Sequence, residues 1–271
     1  MRIKVIACEV LFREVCLCAA RSPHVIDLEF LRRGLHDNPE TLRAEVQQAI
    51  DATDARGGAI HRAHSPRWIG VPHVKYDAIA LGYGLCSNGT LGLVARDTPL
   101  VIPRAHDCIT FFLGSKDAYH RHFHDEPGTY YYTSGWVERA GGGVPRTREE
   151  GEGLQIPYEE LVAKYGEDNA QYLYEISQSW IKNYARAAFI GLGLGPQEAL
   201  RAEALRVAQE RSWDFTDLPG DLRLLCKLLD GEWDEAEFLV VPPGHRVTRG
   251  DEASILATED ADESKPPMYA D

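Results

Sequence analysis

The chain has 271 residues, 44% of them hydrophobic, enough for one large α/β domain or two small lobes that fold without staples. A formal net charge of −13 at pH 7 disfavours extended contact with nucleic-acid phosphates, which draw on clustered Lys and Arg. Glu9, Arg13 and Glu14 interrupt the apolar stretch from Val5 to Ala20, so it reads neither as a signal peptide nor as a membrane span; a cytoplasmic protein without nucleic-acid or membrane contacts is expected.

Taken in chain order, Ile3 to Leu11 is apolar and β-branched and predicts a buried parallel strand, followed by a helix from Phe12 to Ser22. Val25 to Leu31 predicts a second strand. Asn38 can then cap a helix with Pro39 in its first turn and Leu42, Val46 and Ile50 on one face. A polar loop is expected around Arg56 to Pro72. A third strand runs into the glycine-punctuated turn at Gly82 to Gly89, and a fourth, Leu100 to Pro103, ends at another polar turn.

The aromatic and then glycine-rich segment after Pro127 reads as an irregular connection. Tyr158 to Tyr184 has a helical pattern. Ala185 to Gly193, the helix from Pro196, Trp213 to Gly220, the helix from Asp221 and the strand from Ala236 then repeat the alternation. The acidic, proline-containing end predicts a disordered tail. The expected architecture is α/β, with Rossmann-like parallel sheets in two βαβ lobes facing a shared cleft. Its divisions are 1–140, a connection at 141–156, a second lobe at 157–247 and a tail at 248–271.

In open α/β sheets ligands bind beyond the carboxyl ends of the strands. Cys8 and Glu9 follow strand one, His36 and Asp37 follow strand two, Cys86 to Asn88 follow strand three, and Arg104 to Cys108 follow strand four. Four segments thus deliver reactive side chains to one edge. Cys8, Cys86, Cys108 and His36 make a ligand set suited to zinc or another transition metal, with His106 as an alternative ligand or a general acid/base. Unligated reactive thiols and plain packing are the competing readings.

Arg104 could hold an anionic substrate group, Asp107 could orient His106, and Glu9 could serve as an acid/base or supporting residue. Gly84, Asn88 and Gly89 permit close approach to a cofactor, though a tight turn would use the same glycines. Cys16, Cys18 and Cys226 lie on helix patterns and read as small buried hydrophobes; six cysteines are too sparse for a disulfide scaffold. His120, His122 and His124 read as a solvated helix face. The glycines at Gly191 to Gly195 fail the dinucleotide fingerprint, since Pro196 stands where a third glycine belongs, and read as a turn beside the shared cleft. His245 could reach that cleft from the second lobe.

The strings IACEVL, LGYGLCSNG, IPRAHDC, PGTYYYTSGW and GEWDEAEFLVVPPG, in this order, resemble the domain-of-unknown-function family 1638 of methanogenic archaea and anaerobic or methylotrophic bacteria. Where that family often has glycine after the YGLC cysteine, this chain has Ser87. The resemblance implies roles for Cys8, His36, Cys86, Arg104, His106, Asp107 and Cys108. It also implies association with corrinoid-dependent one-carbon metabolism, hence methyl transfer with a corrinoid carried by a partner or methyltransferase protein.

Three functions compete. The first is a metal-dependent transferase acting on a small molecule, in a homo-oligomer. The second is an accessory protein that stores or delivers a metal or cofactor. The third is a metal-free racemase or lyase in which two cysteines face each other across the substrate.

Overall fold

The computed structural model describes residues 1–56, 75–139, 162, 166–167 and 182–261. The expected loop after Arg56, the proposed boundary at 141–156 and most of the helix pattern at 158–184 lie outside them. The chain divides into two compact units, Met1–Lys116 together with Leu222–Asp271, and Asp117–Asp221.

The first unit is built on a five-stranded sheet of order β2-β1-β3-β4-β8. It comprises β1 (Arg2–Cys8), β2 (Val25–Leu31), β3 (Ala78–Gly82), β4 (Leu100–Pro103) and β8 (Phe238–Val241). The first four are mutually parallel and β8 runs antiparallel to β4. Helix α1 (Phe12–Arg21) leads from β1 to β2, and α2 (Pro39–Arg56) starts the crossover back to β3. Leu42, Val46 and Ile50, the predicted stripe, are fully buried and pack with Ile6, Ile79, Leu81, Leu100 and Ile102. The Asn38 side chain accepts from the Thr41 amide at 2.9 Å, as an N-cap does.

Because β1 and β3 are adjacent, the chain leaves β1 for β2 on one side and returns to β3 on the other. The strand order therefore reverses between β1 and β3, the position at whose carboxyl ends open α/β sheets bind ligands. The β1–β3 register sets Ile6 against Leu81 and Ala7 against Gly82.

Two expectations at the far end of the chain are corrected. The chain re-enters the first unit at Leu222, so α7 (Arg223–Asp230) and β8 belong with the first sheet and not with a second lobe. The expected tail, from 248 on, instead completes a hairpin of β9 (His245–Arg249) and β10 (Leu256–Asp260). Its acidic composition conceals Val247, Ile255 and Leu256, which are buried in the same core as α2.

The second unit carries a parallel sheet of order β5-β6-β7, with β5 (Thr129–Thr133), β6 (Arg186–Gly191) and β7 (Asp214–Pro219). The aromatic segment expected to be irregular forms β5 and then α5 (Ser134–Arg139), because β-prone Tyr132 is buried with Phe189, Val207 and Ala208. Helix α6 (Gln197–Glu210) follows the glycine turn, where Gly193 and Gly195 both take positive φ. Helix α3 (Cys108–Leu113) follows β4, and α4 (Lys116–Asp125) buries no residue, as a solvated face carrying His120, His122 and His124 should. Among the described residues no helix is long and apolar enough to cross a membrane.

Candidate functional site

Beyond the strand ends the alternation of β1 and β3 continues for one more step. Ile6 and Cys8 share the α2 face of β1, and Ile79, Leu81 and Tyr83 share that face of β3. Tyr83 belongs to the buried cluster against which Cys8 and Cys86 pack. The segments after β3 and β4 also stay in step, with the Leu85 amide donating to the Ala105 carbonyl and the Cys86 amide to the His106 carbonyl, both at 2.8 Å. That pairing sets the Cys86 turn beside Cys108, the first residue of α3.

The three thiols lie within electrostatic reach of one another, and burial pushes each of them up. Cys8 rises to about 11, desolvation being the main cause and the adjoining Glu9 a further one, while the Arg33 guanidinium acts in the opposite sense. Cys86 and Cys108 are raised further, by desolvation first and then by the charge of Asp107. The turn that holds Cys86 is costly for an L-residue chain. Cys86, Ser87 and Asn88 have φ of 45°, 56° and 68°, three consecutive left-handed residues without glycine. The Gly89 amide closes the turn on the Cys86 carbonyl at 2.9 Å, and Arg249 donates to the Asn88 side-chain carbonyl at 2.6 Å.

Other candidates take different parts. The strand ends at Cys8, so Glu9 begins a short 3₁₀ turn and its carboxylate accepts from the Arg33 amide at 2.9 Å. His36 stands in a 3₁₀ turn beside buried Leu35, its Nε2 3.5 Å from an Asp37 oxygen. His106 is exposed and meets Cys86 through its main chain. Asp107 caps α3, accepting from the Ile109 amide at 2.9 Å.

Arg104, read as an anion holder, is engaged by main-chain carbonyls. Its guanidinium donates to the Glu235 carbonyl at 2.8 Å, to that of Ser254 at 2.7 Å, and to that of Leu256, and so ties β4 to the terminal hairpin. His245 opens β9 in this same unit, with Nε2 3.0 Å from Asp260.

The glycines offered for cofactor approach have a reason inside the fold. A Cβ on Gly84 would sit 2.5 Å from the Ala105 carbonyl oxygen, and one on Gly89 would sit 2.4 Å from Leu42. Cys18 and Cys226, read as separate packing residues, form a disulfide between α1 and α7, whose side-by-side packing brings their Cα atoms to 5.0 Å. Cys8, Cys16, Cys86 and Cys108 lie outside that disulfide.

Sequence reasoning passed over Tyr83 and Arg33. The signal for Tyr83 was the period-two run Ile79, Leu81, Tyr83; that for Arg33 was its place just after β2. Tyr83 is 4% exposed, and its hydroxyl has no hydrogen-bond partner among the described residues.

By residue type alone, three sulfurs from three chain segments would suit a thiophilic ion. Among the described residues, however, no group of three or more His, Cys, Asp or Glu side chains stands close enough together to hold one. The free thiols pack as neutral groups, and ligation would require them to turn toward the ion.

Taken together, the parallel order 2-1-3-4 and the thiols at its point of reversal define a doubly wound α/β unit with a candidate site where such folds bind small ligands. The chain belongs to the family described as Protein of unknown function (DUF1638), whose model matches residues 30–229. His36, Tyr83, Cys86 and Arg104 to Cys108 fall within the matched range, whereas Cys8 and Glu9 precede it. No curated protein and no solved structure matches the chain.

Proposed function

We propose that the protein is a metal-dependent enzyme of small-molecule or one-carbon metabolism that uses Cys8, Cys86 and Cys108 as ligands, methyl transfer involving a thiol being the most specific form. The supporting observation is that three half-buried thiols, each within electrostatic reach of the others, stand at the carboxyl ends of the neighbouring strands β1, β3 and β4. The charged groups acting most strongly on Cys86 and Cys108 are Asp107 and neighbouring thiols, all of which favour the protonated form. A metal-free thiol catalyst needs neighbours that lower the thiol, and Cys108, although it opens the six-residue α3, is raised nonetheless, as is Cys8 beside Arg33. This weighs against the two-cysteine racemase or lyase reading.

A bound borderline metal supplies the positive charge that keeps such thiols deprotonated. The chain's own contribution would be the sulfurs of Cys8, Cys86 and Cys108, half-buried at three neighbouring strand ends. A corrinoid would enter only with a partner protein.

The test is elemental analysis of tag-free protein beside the Cys86→Ser and Cys108→Ser variants. About one equivalent of a transition metal, lost in both variants, supports the reading. Retention of the metal in either variant removes that cysteine from the ligand set, and absence of metal from wild type overturns the proposal. A closed sphere of four protein ligands in the loaded protein would instead mark a storage or delivery protein.

A further inference from the structure

A buried polar group needs a partner in at least one state of the protein, because an unmade hydrogen bond leaves the desolvation of the group uncompensated. The Tyr83 hydroxyl is buried, and nothing among the described residues bonds it. Tyr83 follows β3 at the reversal of the strand order, where open α/β sheets take their ligands. The β1–β3 register pairs Ala7 with Gly82, so Cys8 and Tyr83 are the next residues on neighbouring chains. Just beyond, Cys86 to Asn88 are three left-handed residues without glycine, a form of strain that gathers at ligand sites.

The groups that act most strongly on the phenol by charge are Cys8 and Cys86, then Glu9 and Glu45. Burial keeps the two thiols protonated, and a neutral thiol is a weak acceptor. The two carboxylates repel an anion. Tyr83 otherwise packs in an apolar cluster with Leu35, Leu42, Leu81 and Leu91. Water or an alcohol would bring hydroxyl protons that such surroundings leave unbonded, whereas a carbonyl oxygen accepts a hydrogen bond and donates none.

We infer that the strand-end site takes a small, uncharged carbonyl compound, whose oxygen accepts a hydrogen bond from the Tyr83 hydroxyl beside Cys8 and Cys86. This rests on the reading above only for a small-molecule site at the strand ends, and it needs no metal ion. Tyr83 keeps its proton throughout and fixes the carbonyl group next to the two thiols.

The experiment titrates acetamide and its anionic isostere acetate into chelator-treated wild type and Tyr83→Phe at constant ionic strength. Binding is followed through the chemical shifts of the Gly82 and Gly84 amides, which flank Tyr83 in the chain. Acetamide should shift both amides saturably in wild type and acetate should not. Tyr83→Phe should weaken acetamide by about 5-fold or more, the loss of one hydrogen bond. Equal acetamide affinity in the two proteins, acetate binding as tight as acetamide, or no saturable shift in wild type each overturns the inference. Elemental analysis of untreated protein decides the metal reading separately. A metal found there without any acetamide effect sinks only this inference, and acetamide binding to a protein that holds no metal sinks only that reading. If Tyr83→Phe fails to fold, the ultraviolet difference spectrum of wild type on adding acetamide decides: a red-shifted phenol band supports the donor role, and an unchanged phenol region overturns it.

Discussion

Slow alkylation of the site thiols at neutral pH is the most direct consequence of their burial. Raising Cys8 from 9.0 to about 11 leaves about one hundredth of the thiolate at any pH below both values, or about one molecule in 10,000 at pH 7. The assay is a time course with iodoacetamide on native, metal-free protein between about pH 6 and pH 10, read cysteine by cysteine by peptide mass spectrometry, with urea-unfolded protein as the reference. Cys8 should react about 100-fold more slowly than in the unfolded chain, and Cys86 and Cys108 more slowly still. The folded form holds these protons to higher pH than the unfolded one does. Their contribution to stability is therefore complete below the unfolded value and is lost as pH climbs from about 9 through 11, with about 3 kcal/mol at stake for Cys8. Alkylation of native Cys86 or Cys108 at neutral pH as fast as in the unfolded chain would refute the desolvation argument and restore the metal-free thiol enzyme as the better reading.

Four further outcomes are expected. Gly84→Ala drives a methyl against the Ala105 carbonyl and should cost about 1–3 kcal/mol in urea unfolding, separating the Cys86 and Cys108 segments. Arg104→Met should lower stability by about 2 kcal/mol or more while leaving metal uptake unchanged, since its bonds go to hairpin carbonyls; loss of metal with intact stability would return Arg104 to the site. Ser87→Gly should raise the unfolding free energy by about 1 kcal/mol by relieving a left-handed residue at φ 56°, measured in the same denaturant series. Protein unfolded without reductant should titrate four thiols, and six after reduction; a reductant that opens the Cys18–Cys226 bond should lower stability by about 2–4 kcal/mol.

The strands and helices of the first unit were legible because their signals are local. The cap at Asn38, the stripe Leu42, Val46 and Ile50, and the apolar runs before Cys8 and after Leu100 each carry their own periodicity. The return of the chain at Leu222 was not legible, because strand pairing between β4 and β8 is set by packing across more than a hundred intervening residues. The terminal hairpin was hidden for a related reason: composition averaged its acidic surface with the few side chains that decide burial, Val247, Ile255 and Leu256. At the site, residue types at strand ends pointed to the three cysteines. Which arginine's charge reaches Cys8 and which one ties down a hairpin depends on side-chain partners that spacing does not encode.

The discontinuity of the first unit bears on how the site is held. Cys8 and Cys86 come from β1 and the β3 turn, and Cys108 from the segment after β4, which is gripped from behind by β8 and, through Arg104, by the hairpin. The disulfide joins α1, which leads away from Cys8, to α7, which packs against β3 and β4 and leads on through 231–237 to β8. Segment 222–260 therefore braces β4, from which Cys108 follows, and loosening that segment should spread the sulfurs before it unfolds the sheet. Opening the disulfide is the mild way to do this. On the metal reading, zinc affinity of the reduced protein should fall along with its stability. A reduced protein with lower stability but undiminished zinc affinity would mean that β1, β3 and β4 hold the thiols without help from the returning chain.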